Sequence, residues 1–407
     1  MAERSRVHIV RWVSFERLEN GVRFDAETGD GDPAQIEVTL TGPAIARLRM
    51  APGRLTAPAE RLLVRRSEPP TGATLGADQE GLTLATPHLK LRMTREPWQF
   101  TVQDPNGEAV VTQAIDDRDL LGTFEVSPLG WEKGSGGEPV RIFDALQLAP
   151  DERFFGFGER FVPLDQRGRR WQSWTTDALS TATQRAYKPI PFGMSSRGYG
   201  LFINSTARID FDLGASSSLS AAFCLDQSEL DYFIIYGPAL SDVLRRYWGL
   251  TGAPPVPPLW SFGFWSSRFG YQNRQEVEEV ARGYRERGIP CDVIHLDPQW
   301  MGPQENWCNL AWDTTLFPDP SGMIDVLQKE GFRICLWVNP YVPQGTQLFD
   351  EGAGQGFFVQ DGEEKPYLIP GWTEKKVPLA VVDFTNPDAV AWWREKHQAL
   401  LDMGVAT

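Results

Sequence analysis

The stretch VIHLDPQWM, residues 293–301, begins as a buried strand and stops being one at Asp297. Val293 and Ile294 are β-branched and apolar; a carboxylate, a rigid proline, Gln299 and Trp300 then follow in a row. A carboxylate in an apolar setting is costly unless it is paired, hydrogen-bonded or facing a ligand. In parallel α/β folds, ligand groups gather at the carboxyl ends of the strands, and a strand ending at Asp297 puts that side chain at such an end.

The flanking sequence supports a parallel arrangement. Upstream, LWSFGFWSS (259–267) is a strand candidate, with Trp265 toward its end and Phe269 just after it. NRQEVEEVARGYRERG (273–288) sets Val277, Val280, Ala281 and Tyr284 on one helical face and stops at Gly288. Downstream, SGMIDVLQKEG (321–331) repeats the plan with Met323, Ile324, Val326 and Leu327, and RICLWVN (333–339) is a third strand closed by Trp337 and Asn339. The last helix, NPDAVAWWREKHQALLDMG (386–404), has Asn386 as N-cap, Pro387 in its first turn and Gly404 as its stop. Strand and helix alternate three times, which predicts a parallel α/β domain. Residues 340–385, more than forty in number, are too long for an ordinary connection, and such loops are usually functional. Asp383 there reads as a cap or turn residue.

Before residue 250 the grammar is different. AQIEVTLTG, LKLRMTRE, WQFTVQDPNGEAVV and ARIDFDLG alternate with period two and are separated by turn residues, the signature of antiparallel strands. This half reads as a β-sandwich, and GSGGEP (134–139) as a loop. Pro254, Pro255, Pro257 and Pro258 in TGAPPVPPLW mark the boundary, because such a run continues neither a helix nor a central strand. The expected division is 1–253 and 254–407.

Composition bounds the partners. The 407 residues are 41% hydrophobic, so a sizeable core is within reach, and the net charge of −14 disfavours phosphate backbones and anionic lipid heads. No stretch reaches the roughly 20 apolar residues of a spanning helix, and the first residues do not sustain a signal-peptide core. The expectation is a cytoplasmic protein with a neutral small-molecule partner, no nucleic acid and no membrane; a homo-oligomer is allowed. Cys224, Cys291, Cys308 and Cys335 are scattered and read as reduced thiols. His8, His88, His295 and His397 show no metal-ligand spacing and no nucleophile motif, so neither a metal nor histidine catalysis is expected.

Six ordered segments, from about residue 150 onward, carry a resemblance: ERFFGFGERF, WQSWTTDALSTATQRAYKPIPFGMSSRGYGLFINST, PPLWSFGFWSS, VIHLDPQWM, NWCNLAWDTTLFPDPSGMIDVLQKEGFRICLWVNPYV and DFTNPDAVAWWREKHQALLDMG. Together they resemble glycoside hydrolase family 31, in its α-xylosidase and α-glucosidase branch. The resemblance implies an N-terminal β-sandwich followed by a (β/α)8 TIM barrel, acting on terminal α-linked xylose or glucose of an oligosaccharide or α-glycoside with retention and without a cofactor. It implies that Asp177 and Asp297 bind sugar hydroxyls, that Trp337 and Phe269 wall the sugar, and that Trp265 and Trp300 stand close behind. Pro298 and Gln299 replace the cysteine and phenylalanine that follow the aspartate in the xylosidases, so a xylose pocket and a hydroxymethyl-accepting glucose pocket both stay open. The family's nucleophile and acid/base aspartates are expected beyond Thr407. The barrel is therefore expected to be incomplete in this chain, with about three βα units against eight strands. The alternatives are a non-catalytic sugar-binding remnant and an α-transglycosylase, which shares the covalent intermediate and differs in its acceptor.

Overall fold

The computed structural model describes residues 5–56, 64, 72–115, 117–118, 125–176, 178, 183–371 and 373–407. These separate into two compact units, Met1–Pro254 and Pro255–Thr407.

The first unit is antiparallel throughout its named strands. Period-two alternation buries one face of many of the strands: in Gly21–Thr28, Val22, Phe24 and Ala26 are inside, while in Lys90–Thr94 the buried pair is Leu91 and Met93. The long first strand, Ser5–Leu18, serves two sheets. Its residues 5–8 pair with Gly130–Lys133, and its residues 9–18 pair with Gly21–Thr28. The register shifts between Ile9 and Arg11 and again between Trp12 and Ser14, and such irregularities bend a strand enough for it to pass between sheets. A separate five-stranded meander runs from Thr74 to Thr112. Its turn at Asp104 works as its residue types predict: the Asp104 carboxylate accepts from the backbone of Asn106 and Glu108, and Gly107 takes a φ of 93°. Both sheets and the meander contribute to one apolar core, including Phe24, Phe100, Trp131, Phe223 and Tyr232.

Asp144 lies inside that core. Its carboxylate accepts from Gln113 Nε2 at 2.6 Å, Tyr232 OH at 2.9 Å and the Ala145 amide at 2.8 Å. Burial pushes its pKa up to about 7 against the pull of those three donors.

The second unit contains three parallel strands in the order Trp265–Arg268, Val293–Leu296, Arg333–Leu336. The helix Arg274–Glu286 joins the first to the second; Asn273 caps it by accepting from the Glu276 amide, and Val277 and Ala281 are buried beneath it. The helix Pro320–Lys329 joins the second to the third and buries Met323, Ile324 and Leu327. Val326, placed by sequence on the same face, is instead 37% exposed. After the helix Pro387–Asp402, Gly404 turns with φ 97° and the chain returns to the sheet: Ala406 N–H donates to Ile334 O, and Leu336 N–H to Thr407 O, both at 2.9 Å.

Two local expectations change. Leu259–Phe262 forms a 3-10 turn, so the first strand is four residues long and Trp265 opens it. Residues 340–385 are no plain loop. Tyr341–Pro343, Leu379–Val381 and Leu368–Ile369 form a small antiparallel sheet beside the helix Gln347–Gly354. That insertion has its own core of Val342, Phe357, Phe358 and Ala380, closed by Ala389 and Trp392 of the last helix.

Candidate active site

The three parallel strands run in step. Trp265, Val293 and Arg333 share one rung, Ser267, His295 and Cys335 another, and Arg268, Leu296 and Leu336 the last paired one. Ile294, Leu296, Ile334 and Leu336 belong to the core under the helices. Because successive side chains alternate, the opposite face receives His295 and Cys335 and then, one step past the strand ends, the level of Phe269, Asp297 and Trp337.

Backbone bonds hold Trp337 beside Asp297. The Trp337 amide donates to Leu296 O at 2.9 Å, and the Trp337 carbonyl accepts from Trp300 Nε1 at 3.0 Å. Leu296 and Trp300 bracket Asp297 in sequence, so the second and third strand ends are pinned on both sides of the carboxylate. Pro298 fixes the backbone as the 3-10 turn Pro298–Met301 begins, with Asp297 in extended conformation before it. Trp300 is fully buried against Trp312, with ring centroids 5.0 Å apart. Its indole N–H holds the Trp337 carbonyl.

Asp297 keeps about a fifth of its side chain open, 21%. Among the described residues, its carboxylate has one hydrogen-bond partner, His295 Nε2, at 3.1 Å from Oδ1. The other side of that ring, Nδ1, is 3.1 Å from Cys335 Sγ. Burial pushes the Cys335 thiol up to about 11, which keeps it protonated at neutral pH.

The remaining predicted residues divide. Phe269 lies at the same end of the sheet as Asp297 and is 78% exposed. Trp265 corrects the expectation. It starts the first strand, four residues before Phe269 and so roughly 13 Å away along the strand, where its ring stacks on Trp260 at 5.9 Å and its indole N–H donates to Ser261 O. That end also holds Arg333, whose guanidinium lies 4.9 Å from the Trp260 ring centre. Asp177 lies outside the described residues. Asp383 accepts from the Thr385 amide and hydroxyl, bonds that hold its pKa below the usual carboxylate range and form a turn before the last helix. His295 was passed over by sequence reasoning, which looked for metal spacing; its offset of two from Asp297 on a strand was the signal that both face the same way.

A cavity of about 480 Å³ opens on the first unit, lined by Arg6, Arg141, Phe143, Arg170, Asp210 and Asp212 among others. Its charged groups are already occupied: Arg141 pairs with Asp210 and Asp226, Arg170 with Asp212, and Arg6 with Glu132. Asp297, with one partner and an open second oxygen, is chemically the freer acceptor. Among the described residues, no group of three or more His, Cys, Asp or Glu side chains is arranged to hold a metal ion, and no helix is long and apolar enough to cross a membrane.

Comparison with known proteins accounts for both units. The family description "Glycosyl hydrolases family 31 TIM-barrel domain" matches residues 254–407, and "Glycosyl hydrolase 31 N-terminal galactose mutarotase-like domain" matches residues 35–212. The chain belongs to glycoside hydrolase family 31. Within family 31 it is 38% identical over 266 residues to the alpha-xylosidase XylQ of Lactiplantibacillus pentosus, covering 64% of this chain and 34% of that protein. It is 28% identical over 411 residues to alpha-glucosidase 2 of Bacillus thermoamyloliquefaciens, covering 99% of this chain and 49% of that protein. A solved family 31 dextranase from Flavobacterium johnsoniae, FjDex31A, complexed with glucose, superposes with a TM-score of 0.83 at 25% identity, over 98% of this chain and 47% of that one. The chain thus spans about a third to a half of the length of these relatives.

Proposed function

We propose that this chain supplies part of the sugar-binding floor of a retaining α-glycosidase acting on terminal α-linked xylose or glucose. The observation that carries the reading is the pinning of Trp337 beside Asp297 by the Leu296 carbonyl and the Trp300 indole, with one Asp297 oxygen left without a protein partner among the described residues. A carboxylate oxygen is a strong acceptor for a sugar hydroxyl, and an indole complements the flat CH face of a pyranose. Phe269, exposed at the same end of the sheet, is proposed as a second wall. Trp300 is assigned to support, and Asp177 is proposed as a further hydroxyl ligand on the family resemblance alone. Retaining chemistry uses two carboxylates roughly 5–5.5 Å apart; neither role is assigned to a residue here. The units Met1–Pro254 and Pro255–Thr407 are taken as the sandwich and barrel domains of the family.

The reading is tested by titrating the 407-residue chain with xylose, glucose and isoprimeverose in a calorimeter. Binding of at least one sugar is expected, with Asp297→Asn weakening it about 10- to 100-fold, the range for a hydrogen bond to a charged group. Unchanged affinity in Asp297→Asn, with the variant folded, would remove Asp297 from the site.

A further inference from the structure

We propose that His295 and Cys335 act as a positioning pair that holds Asp297 in one orientation, with one oxygen bonded to the imidazole and the other directed to a ligand hydroxyl. The inference rests on the reading of Asp297 as a sugar ligand and adds the groups that prepare it.

The three side chains form a line. Cys335 Sγ lies 3.1 Å from His295 Nδ1, and His295 Nε2 lies 3.1 Å from Asp297 Oδ1. The sheet register sets this line up: His295 and Cys335 sit on the same rung of adjacent parallel strands, and Asp297 follows His295 by two residues, one step past the strand end. Proton bookkeeping fixes the direction of the bonds. A neutral imidazole has one N–H, and with that hydrogen on Nδ1 the bare Nε2 lone pair would confront the carboxylate. The stable arrangement has Cys335 S–H donating to Nδ1 and Nε2–H donating to Asp297 Oδ1. A protonated ring also donates at Nε2, with its Nδ1–H turned to the sulfur. In either charge state the aspartate receives a proton donor, and the sulfur contact holds the ring plane.

The consequence for binding is preorganisation. A carboxylate already fixed in its rotamer loses less freedom when a hydroxyl arrives, which is worth about three- to tenfold in affinity for one side chain. A donor at Oδ1 also leaves Oδ2 as the oxygen presented to the ligand. His295 and Cys335 need not touch the sugar to set how tightly it is held.

The test uses the 407-residue chain and two readouts. Long-range proton–nitrogen spectra of the wild type are expected to show the His295 proton on Nε2, and the signal is expected to move in Asp297→Asn. Calorimetry with the tighter-binding of xylose and glucose is expected to show Cys335→Ser, which keeps a donor, within about twofold of wild type. Cys335→Ala and His295→Ala should weaken binding about three- to tenfold, less than Asp297→Asn does. A bare Nε2 in the spectrum, or full affinity in both alanine variants while Asp297→Asn loses it, overturns the pair. Absence of binding to any sugar by the folded wild type instead sinks the reading of Asp297 as a ligand, while the spectra of wild type and Asp297→Asn, which need no sugar, still decide whether His295 presents its proton to the carboxylate.

Discussion

At the residue scale, Trp337 has two separable contributions: its backbone pins the strand ends, and its half-buried ring, packed against the second unit's core, is the proposed platform. The amide and carbonyl bonds to Leu296 and Trp300 do not depend on the side chain. Trp337→Ala should therefore keep the carboxylate in place and lose the platform, lowering sugar affinity about tenfold, or about 1.4 kcal/mol. Calorimetry beside a thermal melt checks this; a folded variant with wild-type affinity would leave Trp337 a packing residue. The position of Asp297 at a strand end was legible in the sequence, because an apolar run that stops at a carboxylate raises its own question. His295 and Cys335 were not, because their pairing is a register between strands forty residues apart, and register is set by tertiary pairing, not by either segment alone. Trp265 was misplaced for a related reason: aromatic runs such as LWSFGFW satisfy strand propensity throughout, and only the turn at Leu259–Phe262 shows where the ladder starts.

At the element scale, periodicity identified the antiparallel half, and Asn386 was legible as the cap of the last helix, since those signals are local. The insertion at 340–385 was opaque: its strands are two or three residues long, too short for any period to register. Buried polar links between elements were equally hidden. Asp144, on Pro139–Gln147, meets Tyr232, on Leu230–Tyr236, inside the first unit's core, and Gln113 joins them. The folded pKa of Asp144, about 7, lies above its ordinary 3.8, so the folded state holds the proton more tightly. Its contribution to stability is then fullest below about pH 4 and falls as pH rises to about 7, by an amount on the order of 4 kcal/mol. Asp144→Asn should flatten that slope: urea midpoints of variant and wild type diverge in the variant's favour as pH rises from about 4 to about 8. A wild-type midpoint that climbs over this range through Asp144 would show instead that its three donors hold the carboxylate ionised.

At the scale of the whole molecule, a charge of −14 favours dispersal, yet one region works against it. Val256, Leu259, Phe262, Phe264 and Phe269 are all exposed, between 49% and 95%, within fourteen residues leading into and out of the first parallel strand. Among the described residues that strand pairs only with Val293–Leu296, so its other side offers unpaired backbone groups next to a run of apolar side chains. An open edge joined to an apolar patch is a template for association, and long-range repulsion is screened beyond about 8 Å at physiological ionic strength. The 407-residue chain should therefore self-associate as concentration rises, more strongly with added salt, as read by sedimentation velocity. Leu259→Lys with Phe262→Lys places charge on that patch without entering either core, and should return the chain toward a monomer with its melting temperature little changed. Association unaffected by the two lysines would locate the contact elsewhere, and a monomer at all concentrations would mean that the net charge outweighs the edge.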